Sequence, residues 1–193
     1  MATDDVAVAA AAIRESVATQ TALLDDEHIQ GIVAAAGLMT ESLARGGKLL
    51  LFGNGGSASD AAHVAAEFVG RFQRERRALP AISLGTNLSS ITAIANDYGF
   101  DRVFARQLEG LGGPDDVAVA ISTSGRSSNV LAGVDAARRL GMGTIGLTGA
   151  DGGQLAAAVD VCLRVPALTT ARIQESHILI SHVLCELVER DLA

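Results

Sequence analysis

Aromatic residues and long hydrophobic runs are scarce in this 193-residue sequence. It has no Trp, one Tyr and five Phe, so an aromatic-rich binding surface is disfavoured and small aliphatic side chains must form most of the core. No apolar run approaches the roughly 20 residues that a membrane-spanning helix needs. The first residues also lack the basic start and long apolar stretch of a signal peptide, so we expect a cytoplasmic protein.

Positive charge and cysteine are also limited. Fifteen Lys and Arg against 22 Asp and Glu give a net charge of -7, which argues against a dedicated nucleic-acid binder. The one basic cluster, at 71–77, is typical of a solvated helix end, with the exception of Arg71. Cys162 and Cys185 lie in apolar segments without CxxC spacing, which predicts reduced core thiols with no metal or redox role.

Short apolar runs bounded by glycine alternate with segments of helical periodicity. The runs predict buried strands at 48–52, 81–84, 117–122, 144–147 and 161–165. The segments between them predict helices at 58–71, 89–96, 104–111, 129–140 and 153–158, and an amphipathic helix at 171–191 ends the chain. Strands and helices in this alternation indicate a parallel sheet with helices on both faces.

Two further helices, at 6–23 and 28–44, precede the first strand. The prediction is therefore an α/β protein, a three-layer αβα sandwich with a five-stranded parallel sheet preceded by two N-terminal helices. We expect one domain over 1–193, in which 1–45 is the helical pair and 46–193 the α/β core. The pair could cover the sheet of its own subunit or pack against a partner subunit.

A glycine-rich loop, 53–57 (Gly-Asn-Gly-Gly-Ser), follows the first strand and opens a helix. Glycine lets the backbone approach a ligand closely, and the N–H groups at a helix start favour an anion. The loop lacks the Lys of a nucleoside-triphosphate P-loop. The second strand is followed by Gly85-Thr86-Asn87, without the acidic residue that binds a nicotinamide ribose, so a dinucleotide site is also disfavoured.

A hydroxyl-rich loop, 122–128, follows the third strand and precedes the helix at 129. An ordinary helix cap needs one or two hydroxyl groups. Here there are five, which favours a phosphate site at the helix start: Ser122, Thr123, Ser124, Ser127 and Ser128. Since the carboxyl ends of parallel strands share one edge of the sheet, one small phosphorylated molecule could contact both loops.

Polar residues share a face in the helices at 58–71 and 171–191. Asp60, His63 and Glu67 are spaced i, i+3 and i+7 just beyond the glycine loop. The last helix presents a broad polar face formed by Gln174, His177, Ser181 and His182.

A carboxylate and an imidazole facing a sugar phosphate suit an aldose–ketose isomerisation through an enediol. Glu67 is the candidate base, and His182 or His177 the candidate acid. His63, Glu67, Gln174 and a histidine could also hold zinc. The residues alone leave the metal-dependent and metal-free versions open.

Four ordered motifs together resemble the phosphoheptose isomerases of the sugar isomerase (SIS) fold. They are Gly-Asn-Gly-Gly-Ser-x-x-Asp-x-x-His-x-x-x-Glu at 53–67, Asn-Asp-Tyr-Gly at 96–99, Ser-Thr-Ser-Gly-x-Ser at 122–127, and Arg-Ile-Gln-Glu-x-His-x-x-x-x-His at 172–182. The resemblance implies interconversion of D-sedoheptulose 7-phosphate and D-glycero-D-manno-heptose 7-phosphate, the first step of nucleotide-activated heptose biosynthesis. It also implies a homotetramer with active sites between subunits.

The same resemblance implies roles for individual residues. Glu67 would be the catalytic base and His182 its acid partner, with Asp60 orienting the site from behind. One Zn²⁺ per subunit would be held by His63, Glu67, Gln174 and His182. The substrate would contact Asn54, Gly55, Gly56, Ser57, Glu67, Asn96, Asp97, Ser122, Thr123, Ser124, Ser127 and Gln174, and Arg71 is a further candidate contact.

Two other functions are weighed against this one. A non-catalytic SIS module that binds a sugar phosphate or a replication-initiator-type partner is similar in its loops, but it lacks the residues equivalent to Glu67 and His182. Isomerisation of another ketose phosphate stays open, because loops that hold a phosphate carry little information about the length of the sugar.

Overall fold

The computed structural model describes residues 2–193; Met1, which the predicted domain includes, lies outside the described residues. Strands and helices alternate along the chain. In order they are α1 (Ala2–Ala22), α2 (Asp26–Ala44), β1 (Leu49–Gly53), α3 (Gly56–Val69), β2 (Ala81–Ser83), α4 (Leu88–Tyr98), a 3-10 turn (Phe100–Arg102), α5 (Val103–Leu111), β3 (Val117–Ile121), α6 (Ser128–Arg139), β4 (Gly143–Thr148), α7 (Leu155–Ala158), β5 (Val161–Arg164) and α8 (Thr170–Leu192).

The five strands form one parallel sheet in the order β2-β1-β3-β4-β5. This confirms the predicted α/β class and strand number. Strands β1 and β3 pair along their full length, so that Gly53 lies opposite Ile121. The loops that follow these two strands therefore leave the sheet side by side.

Helices cover both faces of the sheet, and alternate residues of β1 show how. Leu49 and Leu51 pack in one buried cluster with residues of α2, α3 and α8. Leu50 and Phe52 pack in the other cluster, with residues of α5 and α6. Every residue of β1 and β3 is buried, as expected for central parallel strands between two helical layers.

Most predicted boundaries differ from the structure by at most two residues; the exception is the start of α1, at Ala2 where residue 6 is predicted. The helix predicted at 153–158 is only Leu155–Ala158. Gly152 and Gly153 have φ values of +72° and +55°, a left-handed backbone that cannot belong to an α-helix. The 3-10 turn before α5 was not predicted, and it follows Gly99 at φ +87°.

The N-terminal helices differ in how far the chain itself buries them. Helix α2 buries Ile32, Ala35 and Met39 in the cluster beneath the sheet. Helix α1 leaves apolar side chains 57–69% exposed, namely Val6, Val8, Ile13 and Val17. The prediction that the N-terminal helices cover the sheet of their own subunit is thus correct for α2. The apolar stripe of α1, in contrast, is left exposed by the described residues of this chain. No helix of residues 2–193 is both long enough and apolar enough to cross a bilayer.

Arg76 corrects the prediction that the basic cluster is a solvated helix end. Helix α3 ends at Val69, and 70–77 is an irregular segment that leads towards β2. The side chain of Arg76 is only 2% exposed and lies 3.2 Å from the carboxylate of Glu189. Arg71, the exception in that prediction, is exposed.

Asp116 ties together the amino ends of β1 and β3, at the edge of the sheet opposite the two loops. Its carboxylate accepts hydrogen bonds from the backbone N–H groups of Lys48 (2.9 Å) and Gly113 (2.8 Å). The ammonium group of Lys48 donates a third at 2.7 Å. This cluster maintains strand register far from the loops.

His177 joins α8 to the end of β4. Its side chain is fully buried, and Nε2 lies 3.2 Å from the carbonyl oxygen of Thr148. Because that oxygen can only accept, Nε2 carries the proton. Burial lowers the pKa of His177 to about 4, although the hydrogen bond to Thr148 opposes this shift, so the folded protein holds the ring neutral.

We predict that His177 makes the protein less stable as the pH falls from about 6.5 to about 4. In that range the unfolded chain binds a proton on this ring and the folded chain does not, so acid favours unfolding, by roughly 3 kcal/mol at the lower end. His177→Gln should flatten the pH dependence of the free energy of unfolding, measured by urea denaturation. Parallel curves for the two proteins would contradict the prediction.

Candidate active site

The glycine loop connects β1 to α3, and its glycines occur where close contacts or the backbone conformation disfavour a side chain. A methyl group on Gly53 would come within 2.6 Å of the carbonyl oxygen of Ile121, on the neighbouring strand. Gly55 has φ +55°, which favours glycine. A methyl group on Gly56 would lie 2.3 Å from Nε2 of Gln174. The loop therefore packs directly against the amide at the start of α8, and Ser57 is buried behind it.

The hydroxyl loop brings its polar groups to the amino end of α6. The hydroxyl oxygens of Ser122 and Ser127 lie 3.2 Å apart, and Ser124 Oγ accepts from the backbone N–H of Arg126 at 3.2 Å. Ser127 precedes the helix, yet its side chain makes no capping bond to the first turn within the described residues. The hydroxyl groups of these serines thus do not form an ordinary helix cap, and the N–H groups of the helix remain directed at the site.

Two asparagines join the glycine loop to the hydroxyl loop. Asn54 and Asn129 exchange a reciprocal pair of amide hydrogen bonds, both 2.8 Å long, and Asn129 is only 2% exposed. The sequence analysis missed Asn129. Its only local signal is a polar residue at the second position of a helix, which does not reveal a partner 75 residues away.

Three side chains converge from α3 and α8, the two helices that meet at the glycine loop. Nε2 of His63 lies 3.0 Å from Nε2 of His182 and 3.4 Å from Oε1 of Glu67. The ring of His182 also stacks on Phe72, with centroids 5.3 Å apart and planes 26° apart. The predicted base and acid thus lie on either side of one imidazole, and Glu67 is partly buried.

Asp60 lies one turn before His63 on α3. Burial raises the pKa of its carboxyl group, and the nearby His63 partly offsets that rise. Its Oδ2 atom is buried without a hydrogen-bond partner among residues 2–193. Asp60 therefore acts on His63 through charge, and the structure shows no hydrogen bond from it that would orient the ring.

The convergent side chains have the donor chemistry of a zinc site. A tetrahedral ion with Zn–N bonds of about 2.0–2.1 Å separates two imidazole nitrogens by roughly 3.3 Å, close to the observed 3.0 Å. Glu67 adds a carboxylate at a similar distance from His63. The described part of the chain contains no cluster of three His, Cys, Asp or Glu side chains already drawn together around a metal position. The fit to zinc thus rests on the kind of donor and on the spacing of the two imidazole nitrogens.

Other predicted residues lie apart from this cluster. Asn96 and Asp97 are exposed at the end of α4 and bond to each other at 2.8 Å, with no hydrogen bond to either loop in the structure as described. Arg71 is exposed, 3.8 Å from Glu75. His177 is too deeply buried to exchange a proton with a ligand, which leaves His182 as the candidate acid.

Comparison with known proteins gives consistent results at the levels of sequence and structure. Residues 12–149 match the family model described as the SIS domain. The phosphoheptose isomerase of Roseiflexus sp. (strain RS-1) is 62% identical over 161 residues, covering 83% of this chain and 82% of that protein. The phosphoheptose isomerase of Aquifex aeolicus is 52% identical over 176 residues, covering 91% and 92%.

A solved structure has almost the same backbone. The phosphoheptose isomerase of Neisseria gonorrhoeae superposes with a TM-score of 0.90 at 44% identity, covering 98% of this chain and all of that one. Similarity at this level over nearly the whole length covers the sheet and both loops. The chain therefore belongs to the SIS domain family and, within that family, to the phosphoheptose isomerases.

Proposed function

We propose that the protein isomerises D-sedoheptulose 7-phosphate to D-glycero-D-manno-heptose 7-phosphate, the first step of nucleotide-activated heptose biosynthesis. The observation that carries this proposal is the placement of Glu67 and His182 within 3.4 Å of the same nitrogen of His63, on the two helices that meet at the glycine loop. A non-catalytic SIS module is not favoured, because the chain retains both residues and its relatives of 52–62% identity are named as isomerases.

The phosphate group fits the hydroxyl loop. Ser122, Thr123, Ser124 and Ser127 supply hydroxyl donors, and the start of α6 supplies backbone N–H groups and the positive end of the helix dipole. The glycine loop, with Asn54 and Ser57, then holds the sugar chain close to the backbone. Binding at one end positions the carbonyl end of the substrate near α3 and α8.

Proton transfer follows from the two groups at that end. The carboxylate of Glu67 removes a proton from C1 of the open-chain ketose and returns it to C2. His182 donates a proton to the C2 oxygen and takes one from the C1 hydroxyl group, through a cis-enediol. The positions of both side chains on rigid helices keep these transfers within one site.

We also propose that His63, Glu67, Gln174 and His182 hold one Zn²⁺ per subunit. The ion would supply Lewis-acid polarisation of the substrate oxygens. The amide of Gln174 packs against Gly56, at the start of the helix that carries His63 and Glu67, which supports its inclusion. A carboxylate has two oxygens, so Glu67 can bind a cation with one and accept a proton with the other. An imidazole has two nitrogens, so His182 would bind the ion through Nε2, which faces His63, and exchange its proton through Nδ1.

Exposed apolar surface supports a homo-oligomer, which we propose is a tetramer. Beside the stripe on α1, a largely apolar groove runs between α1, α2 and α8, and it is lined by Leu24, Ile29, Val33, Leu179, Val183 and Leu187. Asn96 and Asp97 are exposed on α4 and would reach a site completed by a neighbouring subunit. The protein is expected in the cytoplasm, consistent with two unpaired thiols, Cys162 and Cys185.

Glu67→Gln tests the proposed base. The amide keeps the size of the side chain but cannot accept the C1 proton, so kcat should fall about 10²–10⁴-fold while the fold and phosphate binding persist. Turnover is measured by NMR as formation of the aldoheptose 7-phosphate, and the fold by circular dichroism. Glu41→Gln, on the exposed side of α2, is the control. Near-normal turnover of Glu67→Gln would refute the assigned role.

Chelation tests the metal. Treatment with a chelator should remove about one zinc per subunit, measured by elemental analysis, and lower turnover until zinc is restored. His63→Ala should lose the bound zinc, whereas His28→Ala, on α2, should retain it. Full turnover of demonstrably metal-free protein would exclude this part of the proposal.

Introducing charge on α1 tests the assembly. Val8→Glu combined with Ile13→Glu places two carboxylates on the apolar stripe. An interface formed there would remove these charges from water, which is unfavourable. Sedimentation should shift from a tetramer to smaller species, with the secondary structure retained. An unchanged tetramer would show that α1 lies outside the interface, and a wild-type monomer would exclude oligomerisation.

A further inference from the structure

A buried carboxylate near the end of α8 organises the irregular segment 70–77. Glu189 is 1% exposed, and its two oxygens accept the backbone N–H groups of Phe72 (3.0 Å), Gln73 (2.8 Å) and Arg74 (2.7 Å). Three consecutive N–H groups thus converge on one side chain more than 100 residues away in sequence. The segment has no regular structure of its own, so Glu189 determines its path.

Arg76, from the same segment, lies beside Glu189 and caps α3. The Nε atom of Arg76 lies 3.2 Å from Oε1 of Glu189. The N–H bond of this atom does not point at the carboxylate oxygen, so the contact between the two side chains is ionic. The other two nitrogens donate to backbone carbonyl oxygens at the end of α3 and just beyond, those of Glu67 (2.9 Å), Phe68 (2.9 Å), Gly70 (3.2 Å) and Arg77 (3.0 Å). The guanidinium group thus satisfies helix-terminal carbonyls that have no partner within the helix.

Stability alone does not explain this arrangement. Buried ion pairs often stabilise a protein no better than apolar residues of the same volume, because both charges lose their hydration. Their best-attested benefit is to impose one arrangement over others. Here the imposed arrangement includes the candidate active site, since the segment carries Phe72 and the capped helix carries Glu67.

The positions of both proposed catalytic side chains depend on groups that Glu189 and Arg76 bind. Phe72, whose N–H is bound by Glu189, presents its ring to His182 at 5.3 Å. Glu67 has its own carbonyl oxygen bound by Arg76, at the last turn of α3. The Glu189–Arg76 pair therefore fixes the position of the Phe72 ring, which stacks on His182, and of the backbone that carries Glu67.

We propose that Glu189 and Arg76, together called the clamp, are positioning residues for the isomerisation. This inference rests on the proposed function. The clamp does not contact the substrate. It acts through Phe72 on the orientation of His182, and through the end of α3 on the position of Glu67.

The chain contains a matched control between the amino ends of β1 and β3. Asp116 is also a buried carboxylate that accepts two backbone N–H groups and a cationic side chain. Its side-chain partners are Lys48 and Gly113, and among the described residues no hydrogen bond or ion pair joins its carboxylate to α3, α8 or the segment 70–77. Loss of Asp116 should therefore cost stability without moving the site.

The test compares Glu189→Gln, Arg76→Lys and Phe72→Leu with Asp116→Asn. Each is assayed at a temperature at which circular dichroism shows the variant folded. Histidine side-chain resonances are recorded by NMR, and His182 is assigned with His182→Gln. Arg76→Lys keeps the charge but lacks the planar guanidinium group that bridges several carbonyl oxygens. This variant tests the clamp if Glu189→Gln fails to fold.

For both clamp variants, kcat should fall on the order of 10- to 100-fold, as expected for a small misplacement of catalytic groups, while KM for sedoheptulose 7-phosphate changes little. The His182 resonances should shift towards their positions in Phe72→Leu, because the stacked ring moves away. Asp116→Asn should lower the unfolding temperature and leave kcat and the His182 resonances as in the wild type.

Wild-type kcat in a folded clamp variant, or unchanged His182 resonances, would overturn the proposal. Equal changes in Asp116→Asn would also overturn the proposal, because the effects of the clamp variants would then be explained by lost stability alone. If the wild-type protein does not isomerise the substrate, the proposed function fails, and the His182 resonances alone decide whether the clamp positions this side chain.

Discussion

The parallel pairing of β1 with β3 is the constraint on which the rest of the site depends. Their register sets Gly53 opposite Ile121 and brings two loops, separated by almost 70 residues in sequence, out of the sheet next to each other. The space between the strands excludes even a methyl group on Gly53. The Asn54–Asn129 amide pair then fixes the distance between the loops. A ligand bridging them lies at the carboxyl edge of the sheet, where the starts of α3 and α6 both direct N–H groups.

Helix α8 supplies the remaining parts of the site from one rigid element. Gln174 packs on the glycine loop, His177 bonds the end of β4, His182 faces His63, and Glu189 holds the segment that carries Phe72. All four side chains belong to one helix, so the position of its axis affects each of these contacts. Burial and the nearby carboxylates of Glu67 and Glu189 raise the pKa of Cys185, on the same helix, to about 12, and the thiol stays protonated.

The two kinds of polar group at the site are supported differently. The hydroxyl loop relies on short-range bonds and on the amino end of α6, so its chemistry is local. The acid–base cluster relies on long-range contacts between α3, α8 and the segment between α3 and β2. Binding and proton transfer should therefore respond separately to substitution, since phosphate contacts can persist when the cluster is displaced.

The sequence by itself determined the class of fold, the two loops and the face shared by His63 and Glu67. Each of these depends on patterns within one element: apolar runs, glycine or serine clusters, and helical spacing. Only the tertiary structure decided that Arg76 is buried, that Asn129 joins the loops, that His177 is sealed in the core, and that Glu189 organises 70–77. These features join residues 29 to 117 positions apart, and local periodicity carries no signal for a contact that forms only when distant elements pack.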